Sequence, residues 1–262
     1  MKNTIITKLG LTLAGVLALT VTASAANITW QAPVNITGDS DVKVSGTLDR
    51  AFHFTAGGVG SVTVGTVTFA EFVAPQPGAP ISITVGNTVL SNINGGNVTG
   101  DSNGFTSVAA PFSALSSSYQ SLLKSAAYTD GNTDVLRLTL NGLTIGQDYL
   151  FESWVNDPRA TSNGNQSSRT ETLTGGTNTS GVVAYNTTHA EGGTGQYILG
   201  SFTATAATQA IDYQALAMGG PAAPATQIQA FELRATPEPT SAALLGLGTL
   251  LLAACRRRSA QA

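Results

Sequence analysis

The sequence predicts an all-β fold: an antiparallel, jelly-roll-like β-sandwich with one amphipathic helix. Three observations predict it. Short runs rich in Val, Ile, Leu, Thr and aromatic residues recur at roughly 8–15-residue spacing, and many alternate apolar with polar. Gly and Asn separate these runs, as turns require. Only one window carries helical periodicity.

Taken in order, residues 27–31 read as a first strand, and residues 33–41 as a loop with Asp39-Ser40-Asp41 at its tip. Residues 42–54 alternate weakly, with Val42, Val44, Leu48, Ala51, Phe52 and Phe54 as core candidates. Val62, Val64, Val67 and Phe69 flank Gly65-Thr66, a two-strand pattern with a tight turn. Residues 75–80 form a proline-rich loop, residues 81–90 a single strand, and residues 91–104 a long polar loop. Across 112–128, Phe112, Leu115, Tyr119, Leu122, Leu123 and Ala126 share a 3.6-residue spacing, which predicts the helix. Residues 135–140 alternate and end at Asn141-Gly142, and residues 149–155 answer them as the second arm of a hairpin. Residues 159–168 read as a polar loop. Residues 170–173, 182–185, 196–205, 211–216 and 227–234 supply the remaining strands.

Two terminal segments stand apart from this body. Lys2 and Lys8, an apolar run at 9–21 and Ala23-Ser24-Ala25 have the layout of a secretory signal helix, with a signal peptidase cut after Ala25. At the other end, Pro237-Glu238-Pro239 precedes a charge-free run at 241–255, and Arg256-Arg257-Arg258 closes it. As a helix that run would be roughly 22 Å long, short for a hydrocarbon core of about 30 Å. The three arginines would stay on the cytoplasmic side. The predicted organisation is a signal peptide at 1–25, a sandwich domain at 26–235 and a tail with a hydrophobic helix at 236–262.

The tail resembles the PEP-CTERM sorting signal of Gram-negative bacteria, which has the same order of motif, apolar span and basic cluster. The resemblance implies a membrane-embedded exosortase as partner, with processing near Pro237-Glu238-Pro239. It also implies transient anchoring in the inner membrane, then display on the cell surface or in an extracellular matrix of exopolysaccharide or biofilm. A plain C-terminal anchor is the alternative.

Of 15 acidic and 12 basic residues, the body keeps 14 and 7 once Lys2, Lys8, Glu238 and Arg256–Arg258 are set aside, a net charge near −7. A chain without a basic patch is not expected to bind nucleic acid. The single cysteine, Cys255, lies in the tail, so the body is expected to hold no disulfide or thiolate metal site.

At 138–157 the order Leu-Thr-Leu-Asn-Gly-Leu-Thr-Ile-Gly-Gln-Asp-Tyr-Leu-Phe-Glu-Ser-Trp-Val-Asn-Asp resembles a hairpin of galactose-binding-like jelly rolls. Gln229-Ala230-Phe231-Glu232-Leu233 would be their closing strand. The resemblance implies a sandwich of the carbohydrate-binding-module type. Trp154, Asp157, Arg159 and Arg169 are then candidate ligand-binding residues, since sugars are held by aromatic faces and planar hydrogen-bonding groups. The competing reading is a buried Trp154 anchoring the core and an Asp–Arg pair tying down a loop. No catalytic residue is expected. His53 and His189 belong to no nucleophile motif, and Glu152 with Asp157 would need one shared cleft to act as a polysaccharide hydrolase or lyase. No cofactor is expected, although Asp39-Ser-Asp41 and Asp101-Ser-Asn103 offer oxygens that could suit a structural Ca²⁺.

Overall fold

Strands are numbered β1–β18 in chain order. In β10 (Val135–Asn141), Leu136, Leu138 and Leu140 point inward and the residues between them are only half-buried. Asn141-Gly142 ends the strand, with Gly142 at φ +73°, a conformation that favours a residue without Cβ. Residues 142–147 then do not close a hairpin. They carry the chain across to a second sheet, where β11 (Asp148–Val155) pairs with other strands. Leu143, buried between the layers, accounts for the crossing.

The structure, a computed structural model, describes residues 25–74, 82–129, 134–159, 168–216 and 225–237. The first sheet runs β1 (Thr29–Trp30), β15 (Gln196–Thr203), β11, β18 (Ala230–Thr236), β3 (Thr47–Thr55), β5 (Val67–Val73) and β4 (Val62–Val64), with β2 (Val34–Asn35) also on β15. The second runs β13 (Asn178–Thr179), β12 (Thr170–Gly175), β16 (Thr208–Ala215), β10, β7 (Thr88–Asn92) and β6 (Ser82–Val85), with β14 (Val183–Ala184) beside β12. A small third sheet of β17 (Gln227–Ile228), β9 (Ala126–Tyr128) and β8 (Thr99–Asp101) lies at one end. The described residues thus form the expected β-sandwich. Its pairing is antiparallel except for β3 with β5, which is parallel.

Two apolar layers hold the sheets. Between them Phe54, Phe72, Phe151, Phe231, Leu138 and Tyr213 form the main core, with Phe151 and Phe231 stacked at 5.9 Å. The outer face of the first sheet carries a second core, in which Trp154, Tyr197, Phe69 and Ala230 meet Tyr119, Leu122 and Leu123 of helix α1 (Ser117–Leu123).

Several local expectations are corrected. The helix spans one stretch of 117–123, because Ser116 caps it by accepting the Tyr119 N–H at 3.1 Å. Phe112 starts a separate 3₁₀ turn, and 126–128 pair as β9. The spacing still named the buried face, since Phe112, Tyr119, Leu122, Leu123 and Ala126 are all buried. The single strand at 81–90 is two strands, β6 and β7, folded at Gly86-Asn87. The loop at 91–104 contains β8. Val44 and Leu48 are exposed: the chain before Thr47 is a strap rather than a strand, and the first three residues of β3, Leu48 among them, are uncovered.

The proline-rich loop, the signal helix and the hydrophobic run at 241–255 lie outside the described residues. Among the described residues no helix is long and apolar enough to cross a membrane.

Gly100 shows how closely β8 packs on the first sheet. A Cβ there would overlap the carbonyl oxygens of Ala74 and Thr55. Gly100→Ala is expected to cost about 2–3 kcal/mol, measured as a lower denaturant midpoint.

Candidate functional site

Trp154 and Glu152 project from β11 onto the outer face of the first sheet, as their two-residue spacing requires. Trp154 is fully buried there, edge-on to Phe69 at 5.6 Å. Its Nε1 donates to Tyr119 Oη at 3.0 Å, and Tyr119 Oη donates to Asp41 Oδ2 at 3.1 Å. Asp41 also accepts the N–H groups of Thr37 and Gly38 and the Thr37 hydroxyl, at 2.7, 2.9 and 2.8 Å. Burial, then the nearby Asp41, pushes the Tyr119 hydroxyl well above its ordinary pKa. Trp154 therefore locks helix and strap to the sheet. Its assignment as a ligand-stacking residue is corrected: no face of the indole reaches the surface.

The other three candidates gather at the end of β11, at one pole of the sandwich. Asp157 is buried, its N–H donating to Tyr185 O at 2.7 Å. Its carboxylate forms a two-pronged bridge to Arg159, at 2.7 Å from both Nε and Nη2. The Arg159 guanidinium lies over the Phe105 ring, 4.5 Å from its centre. Arg169 joins through the same Tyr185, whose N–H donates to the Arg169 carbonyl at 3.0 Å. The structure thus pairs Asp157 with Arg159, links Arg169 to Asp157 only through the backbone of Tyr185, and separates Trp154 from them. The pair fixes residues 157–159, where the chain leaves β11; residues 160–167 lie outside the described residues. Arg159 is still 28% exposed, so its ion pair is partly screened. Arg159→Ala would strand the buried Asp157 and is expected to cost about 2 kcal/mol in denaturant melts.

Sequence reasoning missed the buried carboxylates. Glu152 and Glu232 face each other across β11 and β18, and both are buried. Burial first, with repulsion from Glu232 added, raises Glu152 to about 9 despite the Lys43 N–H donated to Oε2 at 3.0 Å. Burial raises Glu232 too, opposed by its ion pair with Arg234 at 3.1 Å. In a second place, burial raises Glu171 to about 8, although Tyr185 Oη donates to its Oε2 at 2.6 Å and Gln227 N–H at 3.2 Å. A protonated carboxyl supplies a donor that two facing carboxylates lack. The alternation of β11 placed Glu152 beside Trp154 but said nothing of the strap above them.

The acidic runs are committed elsewhere. Asp39 accepts from Ser116 Oγ at 2.6 Å. Asp101 Oδ1 accepts the N–H groups of Asn103 and Gly104, at 2.8 and 2.6 Å. Among the described residues no three His, Cys, Asp or Glu side chains gather where they could hold a metal ion. His53 is buried with Nε2 2.7 Å from Gly60 O, and burial lowers its pKa.

Surface grooves among the described residues mix polar and apolar lining. One of 550 Å³ is lined by Asn27, Asp148, Ser201 and Thr203, and one of 680 Å³ by Ser61, Ser117, Ser121 and Lys124. A third, of 340 Å³, is lined by Asp49, Arg50 and Asn87. Each carries at most one carboxylate. Pro237, just beyond β18, is exposed, and Ala25 is half-buried. Ala23, Glu238, Pro239 and Arg256–Arg258 lie outside the described residues.

Fold and site together define a β-sandwich whose charged candidates are built into its frame. No family model matches the chain, and no curated protein matches it. It is similar to a solved structure described as explaining the promiscuous specificity of carbohydrate-binding modules from the β-sandwich superfamily, at 12% identity and a TM-score of 0.24. The match covers 64% of this chain and 66% of that one, just under two thirds of its length.

Proposed function

We propose that this chain is an exported, non-enzymatic cell-surface or extracellular-matrix protein, sorted by its PEP-CTERM-like tail and associated with exopolysaccharide. The observation that carries the reading is the order Pro237-Glu238-Pro239, apolar run, Arg256-Arg257-Arg258. The fold supports it in one respect. β18 is paired with β11 up to Thr236 and with β3 up to Ala235, and Pro237 is exposed directly after it. A cut at the motif would leave every described strand paired. The displayed part is then the sandwich, and any polysaccharide contact falls on its exposed polar faces rather than on Trp154.

Mass spectrometry of surface material from the producing cells tests this. The expected mature chain starts after Ala25 and ends near residues 237–239. Recovery of chains that keep Arg256–Arg258 would replace the sorting signal with a plain anchor.

A further inference from the structure

Asp49 and Arg50 are neighbours on β3, yet they form an ion pair at 2.5 Å. In a regular strand successive side chains point to opposite faces. A bulge makes the contact. Arg50 pairs with Leu233 and Leu48 with Arg234 on β18, so Asp49 has no residue opposite it on that strand. Bulges re-aim side chains, and this one turns the Asp49 carboxylate to the side on which Arg50 lies.

Arg50 reaches across to the second sheet. Its Nη1 donates to Asn87 O at 2.8 Å and its Nη2 to Asn141 O at 2.9 Å, with Thr88 Oγ1 3.4 Å from Nη1. The side chain is 11% exposed and is fixed by these bonds. Asp49 is 30% exposed and uses only Oδ2 on Arg50. Its Oδ1 and the side-chain amide of the exposed Asn87 have no partner among the described residues.

These groups line the groove of 340 Å³ between β3 and the turn that joins β6 to β7, and Phe52 lines it with them. Phe52 is only half-buried. Its ring is held edge-on to Phe72 at 5.7 Å and tilted against Phe231 at 5.8 Å. No strap or helix closes over it, in contrast to Trp154. The groove thus offers a free carboxylate oxygen as acceptor, an amide that donates and accepts, and an aromatic surface, all on a rigid frame. A sugar ring has the matching chemistry, with hydroxyls around its rim and C–H groups on its faces. The volume lies at the small end of the usual range of about 300–1,000 Å³ for ligand sites, which suits a single sugar unit. The carboxylate in the groove and the net negative body disfavour an anionic sugar.

We propose that this groove binds one unit of a neutral polysaccharide, with Asp49 and Asn87 holding its hydroxyls and Phe52 meeting a C–H face. Arg50 is a positioning residue that fixes Asp49 and the turn. The proposal rests on the association with exopolysaccharide proposed above and names where the contact is made. One unit per site gives weak attachment, which many displayed copies on one polymer strengthen through multivalency.

The test measures retention of the full chain, purified in mild detergent, on immobilised dextran, galactomannan, alginate and exopolysaccharide from the producing cells. Asp49→Asn keeps an oxygen for Arg50 but puts an NH₂ group where Oδ1 accepts. Asn87→Ala trims an exposed side chain. Both are expected to keep the wild-type denaturant midpoint, while affinity for the neutral polymers falls about tenfold for Asp49→Asn and several-fold for Asn87→Ala. Lys124→Ala, in the groove of 680 Å³, is expected to bind as wild type does. If Asp49→Asn folds poorly, Asn87→Ala decides alone. Wild-type affinity in the folded groove variants, or a loss confined to Lys124→Ala, would overturn the site alone. Stronger retention on alginate than on the neutral polymers would overturn the ligand class. A wild-type chain retained on none of the four would overturn the association with exopolysaccharide and the site with it, and would leave sorting by the tail untouched.

Discussion

Lowering the pH from 8 to 5.5 is expected to stabilise this protein by several kcal/mol. Buried carboxyls cause the effect, Glu152 and Glu171 above all, with Glu232 raised in the same direction; His53, whose pKa burial lowers, opposes them below its ordinary value of 6.5. Glu152 is raised to about 9 and Glu171 to about 8, both chiefly by burial, from an ordinary value of 4.5. An acid with a raised folded pKa imposes no cost below its unfolded pKa, where both states hold the proton. The cost then grows through neutral pH, because the unfolded chain releases a proton that the folded chain keeps. It levels off above the folded pKa. Each group contributes a slope of about 1.4 kcal/mol per pH unit across that window. Glu71 runs the other way, lowered by the Val59 and Gly60 N–H groups and the Thr55 hydroxyl against a burial effect, so its contribution is lost only under more acidic conditions. Urea melts across this range check the slope. Glu171→Gln should remove about half of it, because an amide oxygen still accepts from Tyr185 and Gln227 but does not titrate. Stability that rises from pH 5.5 to pH 8 would contradict this description of the two sites.

Trp154→Ala is expected to destabilise the protein by about 4–5 kcal/mol, near the upper end for aromatic truncation. The indole fills the second core against Phe69, and its N–H is the donor to Tyr119 Oη. Its loss leaves a cavity and disconnects the Tyr119–Asp41 link that holds the strap at 37–41. The denaturant midpoint should fall sharply, while Arg159→Ala moves it less. A Trp154→Ala protein within about 1 kcal/mol of wild type would mean that the indole is open to solvent.

The alternation that revealed β10 and the inward face of α1 is local, so the sequence displayed it. Sheet membership is not local. Asn141-Gly142 carries a hairpin signal, yet the chain crosses to the other sheet because Leu143 is drawn between the layers. Gly86-Asn87 was masked by the continuous alternation on either side of it. The helical spacing ran on through Ala126 because a buried face recurs in β9 as well. Glu152 and Glu171 were invisible as buried groups, since carboxylates are seldom fully buried. Their burial depends on partners far along the chain: the strap at Lys43 and strand β18 for Glu152, Tyr185 and Gln227 for Glu171. Of the four candidate binding residues, spacing could place Trp154 on a face but could not say that α1 covers it.

The central claim, that residues 237–262 decide where the sandwich accumulates, is tested most directly by fractionating cells that produce the full chain or a chain ending at Thr236. The full chain is expected in the surface or matrix fraction, and the shortened chain, still folded, in the soluble periplasmic fraction. The same distribution for both would contradict the account.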